Sequence, residues 1–278
     1  MIGLIDIGGT KLLAAAVLPG RSVGATVRRP TPRSGEVIRV LVEMLDEARR
    51  GEALDAIGVA VPGPFDRDQG LLLNPPGLSV AWHRLAIAAP LREHFGCPVR
   101  VENDANCAAL AEAHLGAGRG SRLLVYYTVS TGIGTGEVRD GELIVERHDN
   151  EGGHQVLWPK RVGGPPCECG GAGCLEAIAS GRAIAARFGR PAEEIEEQVV
   201  WDDVGAWLGL AVVNTVALLD CDRVVFGGGV ATPRWARLEP AIRATVAAHL
   251  RLQPPPDIRV AELGDDRNLA GALLLLRG

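Results

Sequence analysis

One pattern constrains the fold more than any other, and it occurs twice. Met1–Asp6 is a short apolar run ended by Gly8-Gly9-Thr10, and Lys11–Val17 resumes as a second apolar strand. Two such runs flanking glycines read as a hairpin rather than as a strand entering a helix. About 120 residues later the pattern returns. Ser121–Val129 is apolar and ends in Ser130-Thr131-Gly132-Ile133-Gly134-Thr135-Gly136, with Glu137–Val145 expected as the returning strand. The 278 residues are enough for two hydrophobic cores. Two α/β lobes on a shared plan of mixed sheets, with a cleft between them, are the simplest account.

The intervening segments supply the rest of such lobes. Glu36–Arg49 places Val37, Val40, Leu41, Met44, Leu45 and Ala48 at the spacing of an amphipathic helix. Asp55–Val61 reads as a buried strand stopped by Pro62-Gly63-Pro64, and Val99–Glu102 as another, after which Asn103-Asp104 opens an Ala-rich helix to about Leu115. A helix over Asp202–Leu219, a strand over Arg223–Phe226, a turn at Gly227-Gly228-Gly229, a helix near Arg234–Leu252, a strand over Ile258–Leu263 and a last helix follow. The acidic run Glu193–Glu197 is expected on a solvated helix face. The expected small lobe is 1–115, with a terminal helix at about 265–278 packing back on it, and the larger lobe is 116–264.

Composition narrows the class. The chain is 47% hydrophobic and 23% charged, with a net charge of −5. That describes a soluble protein and leaves no basic footprint for nucleic acid or an anionic membrane. The opening MIGLIDIGGTK has no basic leader, and the apolar stretch Leu208–Leu219 is broken by Asn214 and Thr215, so neither a signal peptide nor a membrane span is expected. Of six cysteines, Cys97, Cys107 and Cys221 sit singly in apolar surroundings. That is cytoplasmic usage rather than a disulfide framework.

The glycine turns carry chemistry. Gly8 and Gly9 let backbone N–H groups approach an anion, Thr10 and Lys11 add a hydroxyl and a positive charge, and Asp6 at a strand end suits hydrated Mg²⁺. A plain hairpin turn would use the same glycines. Thr131, Gly132 and Gly134 offer a second anion-binding turn, without a Walker lysine pattern and without the helix of a Rossmann turn. Two such turns across a cleft would grip the β- and γ-phosphates of ATP, and Gly227, Gly228 and Gly229 would let an adenine ring lie against bare backbone. Asn103-Asp104 has the parts for the reacting end, an amide to orient a hydroxyl and a carboxylate to take its proton. The same pair is also what a helix cap looks like, and the sequence leaves both readings open.

Cys167-Glu-Cys169-Gly-Gly-Ala-Gly-Cys174-Leu-Glu176 is the most specific stretch. Three thiolates on a glycine-cushioned loop, with His154 upstream as a fourth ligand, suit a closed tetrahedral zinc site that organises a loop. A closed site has no open coordination position, which excludes a zinc hydrolase. What such a loop would hold in place is Glu151, His154 and Glu176.

Asp6–Lys11, Val101–Asn106, Thr131–Gly136, Glu151-Gly-Gly-His154, Cys167–Glu176 and Gly227–Gly229 together resemble the ROK (repressor, open reading frame, kinase) family of sugar kinases. That family lies within the actin-like ATPase superfamily, a two-lobed, ribonuclease H-like fold with duplicated mixed sheets and a central cleft. The resemblance implies ATP-dependent phosphorylation of a hexose with Mg²⁺, Asp104 as base, and Asn103, Glu151, His154 and Glu176 on the sugar hydroxyls. It further implies zinc on His154, Cys167, Cys169 and Cys174, a homodimer, and closure over the sugar. Glucose is the default acceptor; an N-acetylhexosamine kinase (N-acetylmannosamine or N-acetylglucosamine) and a non-catalytic sugar sensor are the alternatives. Family repressors carry an N-terminal helix-turn-helix, and the chain starts at its first phosphate strand. Three departures bear on substrate and nucleotide: Asn74-Pro-Pro-Gly-Leu-Ser-Val-Ala-Trp82 for the family's Asn-Leu-Pro-Gly-Trp loop, Glu146–Asn150 for a Gly-rich approach, and Thr135 for a glycine.

Overall fold

The computed structural model describes residues 1–277 except 68, 76 and 146–148. The chain forms two units, one of Met1–Ala111, Val145–Asp149 and Leu263–Gly278 and one of Glu112–Ile144 and Asn150–Glu262. The first unit contains, in order, β1 (Ile2–Ile7), β2 (Lys11–Val17), β3 (Val27–Pro30), α1 (Val37–Arg49) and β4 (Ala56–Val61). The short strands β5 (Phe65–Asp66), β6 (Leu71–Leu72) and β7 (Leu85–Ala86) follow, then α2 (Ala88–Phe95), β8 (Val99–Asn103) and the start of α3 (Asp104–Leu115). The second unit holds β9 (Leu123–Val129), β10 (Ile133–Arg139), β11 (Glu142–Leu143), α4 (Leu175–Ala179), α5 (Gly181–Phe188), α6 (Gln198–Leu219), β12 (Arg223–Gly227), α7 (Gly228–His249) and β13 (Asp257–Val260). The last helix, α8 (Arg267–Leu274), returns to the first unit.

The expected duplication is visible in strand order. The sheets run β3-β2-β1-β4-β8 and β11-β10-β9-β12-β13. In each, an antiparallel hairpin leads to two further strands in parallel. Parallel strands covered on both faces must be apolar on both, and alternate residues here enter different cores. Ile5, Ile7, Ile57, Val59 and Val61 pack with Leu41, Met44 and Leu45 of α1. Leu4, Leu13, Ala15 and Ala60 pack with Leu269, Ala272 and Leu273 of α8. In the second unit Val125, Tyr127, Val129, Val224 and Phe226 share one core with α4, α6 and α7.

Close backbone approach sets where α8 lies. A Cβ on Gly58 would fall 2.3 Å from the Ala272 carbonyl oxygen, and one on Gly271 would fall 1.9 Å from that of Cys107. Backbone cannot yield as a flexible side chain can. Gly271→Ala should therefore cost about 3 kcal/mol in urea denaturation, at the upper end of overpacking penalties. Gly264→Ala, which meets nothing within 4 Å, should stay near wild type. Equal stability of the two variants would contradict this packing.

Three expectations are corrected. The returning strand of the second hairpin spans Ile133–Arg139 rather than Glu137–Val145, because it pairs residue for residue with β9 from Ile133↔Val129 onward. Gly227–Gly229 is no free turn: Gly227 ends β12 and Gly228 starts α7, which carries Pro233 and Pro240 in its interior. Packing along α6 holds that helix together despite both prolines. Gly205 and Gly209 allow the contact, since a Cβ on Gly209 would meet Thr245 Cβ at 2.6 Å. The acidic run lies in a single 3-10 turn (Ala192–Glu194) and the extended chain before α6, where Glu196 meets Arg234 at 2.9 Å and Glu197 meets Arg190 at 2.5 Å. Although α6 is long and apolar enough to span a membrane by length and composition, its buried face, including Trp201, Val204, Leu208 and Val212, belongs to the core of its unit.

Candidate functional site

In the first unit, the β1–β2 turn closes through Gly8 N–H donating to the Lys11 carbonyl at 3.0 Å, where a Cβ on Gly8 would sit 2.9 Å from that oxygen. Thr31, which no motif pointed to, braces the turn by donating its hydroxyl to the Gly8 carbonyl at 2.6 Å. Gly9 and Thr10 are exposed. The Lys11 ammonium is already paired with Asp265 at 2.7 Å, with Arg28 3.7 Å from the same oxygen. Asp6 is buried, and burial pushes its carboxyl up to about 6; the Asn268 hydrogen bond and the charges of Arg267 and Lys11 pull it back down. Asn268 Nδ2 donates to Asp6 Oδ1 at 3.1 Å. A cavity of about 270 Å³ opens beside Gly9, lined further by Thr31, Arg33, Gly77, Leu78 and Ser79. The 74–82 departure therefore contributes part of this wall, with Pro76 outside the described residues.

The two readings of Asn103-Asp104 divide between the residues. Asn103 Oδ1 accepts from the Ala105 and Asn106 N–H groups at 2.8 and 3.4 Å, so Asn103 caps α3. Asp104 is the first helical residue and half-buried. Desolvation, then the charge of Asp6 and also that of Asp149, push its carboxyl up to about 7, against the Ala105 N–H and Arg267. A carboxyl that titrates near neutrality suits proton transfer. Behind it, Glu102 is buried and bonded to the Arg67 guanidinium, the Asn103 N–H at 2.8 Å and Asn106 Nδ2 at 2.9 Å. Arg67 Nη2 also meets Asp149 Oδ1 at 2.5 Å. Asp149 is thus the described part of the charged departure that reaches this network; 146–148 lie outside the described residues. Arg67 carries no sequence signal of this role, because its partners are far along the chain.

In the second unit, Ser130 N–H donates to the Gly132 carbonyl at 2.9 Å, and Thr131, Gly132 and Gly134 lie at or beside the start of β10. Gly228 has φ +98°, and a Cβ there would meet the Val129 carbonyl at 2.4 Å; Gly229 faces Ser130 Oγ. The N-terminus of α7 thus abuts this turn, and its partial positive charge favours an anion. Thr135 has a different job from the one its position in the motif suggested. Buried in β10, its hydroxyl donates to the Asn150 carbonyl at 2.9 Å and accepts from the Gly152 N–H at 3.0 Å. Gly153 then crosses β10 so closely that a Cβ would lie 2.0 Å from the Ile133 carbonyl. That contact accounts for the paired glycines between Glu151 and His154.

His154, Cys167, Cys169 and Cys174 bring one ligand atom each within 4.8 Å of one another. A tetrahedral zinc about 2.3 Å from sulfur and about 2.0 Å from nitrogen demands edges of about 3.8 Å between sulfurs and about 3.5 Å between sulfur and nitrogen. The Cys169–Cys174 Sγ distance is 3.7 Å and Cys167 Sγ to His154 Nδ1 is 3.5 Å, so the donor set fits such an ion. Nδ1 being the ligand-side atom, His154 Nε2 is directed to Glu151 Oε2 at 4.0 Å. Glu176, two residues past Cys174 in the first turn of α4, accepts the Ile133 N–H at 2.9 Å. The structure therefore gathers Glu151, His154 and Glu176 with the cysteines and the second turn in one unit, and Asp6, Asn103 and Asp104 with the first turn in the other.

The ROK family pattern matches residues 2–278. The N-acetylmannosamine kinase of Citrobacter koseri is 35% identical, over 99% of this chain and 98% of that protein. Among solved structures, a ROK hexokinase from Thermus thermophilus superposes with a TM-score of 0.83 at 35% identity, covering 100% of this chain and 99% of that one. A ROK glucokinase from Streptomyces griseus, solved in complex with glucose and AMPPNP, gives 0.80 at 27% identity over 99% and 98%. The duplicated mixed sheets are those of the actin-like ATPase fold. On the strength of that match along almost its whole length, the chain belongs to the ROK family.

Proposed function

We propose that the protein, a sugar kinase, transfers the γ-phosphoryl group of Mg-ATP to a hexose hydroxyl, with glucose as the default acceptor. The observation that carries this reading is Asp104, half-buried at the start of α3 with its carboxyl raised to about 7. Its ionised form accepts the acceptor hydroxyl's proton as the new P–O bond forms. Asp6 would hold hydrated Mg²⁺, which neutralises charge developing on the transferred group. The Gly8–Thr10 and Thr131–Gly134 turns present N–H groups to the phosphates, and Gly229 leaves room for the base, the Cβ sides of Gly227 and Gly228 being taken by Tyr126 and the Val129 carbonyl. Lys11 serves there once it parts from Asp265, or steadies the turn while paired with it.

Glu151, His154, Glu176 and Asn103 are the candidates for orienting sugar hydroxyls. Zinc on His154 and the three cysteines would supply rigidity to that loop and no reacting group. Asn103 already spends its amide oxygen on the α3 cap, which leaves its NH₂ for a hydroxyl. ATP and reduced thiols coexist in the cytoplasm, which supports that location, and the family reading supports a homodimer. Kinship to an N-acetylmannosamine kinase over nearly the whole chain favours a second acceptor class, the N-acetylhexosamines.

The test is sugar-dependent ADP release with Mg-ATP across glucose, mannose, fructose, allose, N-acetylglucosamine and N-acetylmannosamine. One sugar is expected to exceed the others at least tenfold in kcat/KM, a gap of about 1.4 kcal/mol in transition-state binding. No release with any of them from folded, zinc-replete protein would favour the sugar-sensing reading.

A further inference from the structure

Arg182 touches the second glycine turn and the cysteine loop at once. It is the second residue of α5, and its backbone N–H donates to the Thr131 carbonyl at 3.3 Å. The preceding Gly181 N–H donates to the Ser130 carbonyl at 2.7 Å, so close that a Cβ on Gly181 would lie 2.8 Å from that oxygen. The guanidinium points the other way. Nη1 donates to Glu168 Oε1 at 2.5 Å, and Nη2 lies 3.8 Å from Glu176 Oε1. Glu168 stands between Cys167 and Cys169, and Glu176 follows Cys174.

Glu176 completes the connection. Its other oxygen accepts the Ile133 N–H, and the carboxylate fills the space above Gly132, where a Cβ would come within 2.6 Å of Oε2. A carboxylate held by one backbone N–H can still swing about that bond. The Arg182 guanidinium, 3.8 Å from the second oxygen of Glu176, restrains that swing by charge attraction.

We propose that Arg182 is a positioning residue for nucleotide binding, joining the cysteine loop through Glu168 and Glu176 to the Ser130–Gly134 turn. The proposal rests on the reading of that turn as a phosphate grip. Exposed ion pairs add little to stability, and Arg182 is 39% exposed. Its side chain therefore shows in ligand affinity rather than in melting. The backbone bonds from Gly181 and Arg182 to the turn survive any side-chain change.

The experiment uses the zinc-replete full chain and titrates Mg-AMPPNP by calorimetry. Arg182→Met should weaken binding about fivefold, near 1 kcal/mol, with zinc content and Tm unchanged. Arg182→Lys should recover part of the loss, because a single ammonium cannot bridge two carboxylates as a fork does. Unchanged Mg-AMPPNP affinity in folded Arg182→Met would overturn the proposal. So would parallel losses of zinc and Tm, which would make the residue a general structural brace. A wild type that fails to bind Mg-AMPPNP would sink the nucleotide reading of the turn itself, a result distinct from failure of Arg182 alone.

Discussion

Replacing Asp104 by asparagine is expected to lower kcat by about three to four orders of magnitude, at the upper end of what a general base contributes. Sugar binding should survive. The substitution keeps the size of the side chain and its place in the first turn of α3, and the Asn103 cap does not depend on the carboxylate. The pH profile gives a second, independent readout. With the free enzyme's carboxyl near 7, kcat/KM should rise as pH passes through about 7, because only the ionised form accepts a proton. The variant should lose that limb. A variant with a tenth of wild-type turnover, or one that keeps the same limb, would remove Asp104 as the base.

The same carboxyls leave a mark on stability, with a definite sign. In the folded chain Asp6 and Asp104 hold their protons to about 6 and about 7, while the unfolded chain releases them near its ordinary carboxylate value of about 4. Between those values the native state binds more protons, so these two groups make stability fall as pH rises from about 4 to about 7. Asp104→Asn should flatten part of that slope in urea titrations run at several pH values.

Loss of the proposed zinc is the second large expected effect. Cys174→Ser, or chelation of the wild type, should lower Tm by roughly 10 °C, the equivalent of about 3 kcal/mol for a cross-link closing a short loop in a chain of this size. Cys174 is buried and lies where the loop enters α4, two residues before Glu176. Local unravelling should therefore reach 151–176 before any of the hydrophobic cores. Hydrogen exchange is expected to accelerate over that segment and to leave β1, β4 and β12 protected. A metal-free variant with wild-type Tm and wild-type exchange would show that the four side chains converge for another reason.

Some features were legible because their causes are local. A glycine pair between two apolar runs needs no distant partner to make a hairpin, and both hairpins formed. Three cysteines on a glycine-cushioned loop are close in the chain, so their meeting is local; His154, farther upstream, joins them within 4.8 Å because Val156 bridges Cys174 and the Leu175 N–H donates to the Gln155 carbonyl. The boundary errors are of another kind. Pro233 marks a helix start by local rules, yet α7 begins at Gly228, where the end of β12 delivers the chain and the Val129 carbonyl demands a glycine. Likewise β10 begins at Ile133 because β9 supplies its partners from Val129 backwards.

What the amino-acid sequence determined by itself was the repeated strand–glycine–strand plan, the cysteine and histidine set and the position of the acidic candidates. These rest on backbone freedom, alternation and donor chemistry over a few residues. Tertiary structure alone decided which polar groups those candidates meet. It paired Asp6 with Asn268 and Lys11 with Asp265, set Arg67 between Glu102 and Asp149, gave Thr135 to the 150–152 segment, and joined Arg182 to both the turn and the cysteine loop. A buried charge must find partners somewhere, but where depends on which segments the two sheets and their covering helices bring alongside. Burial and neighbouring charge, rather than residue type, then moved the carboxyl of Asp104 from that of an ordinary aspartate to one that titrates near neutrality.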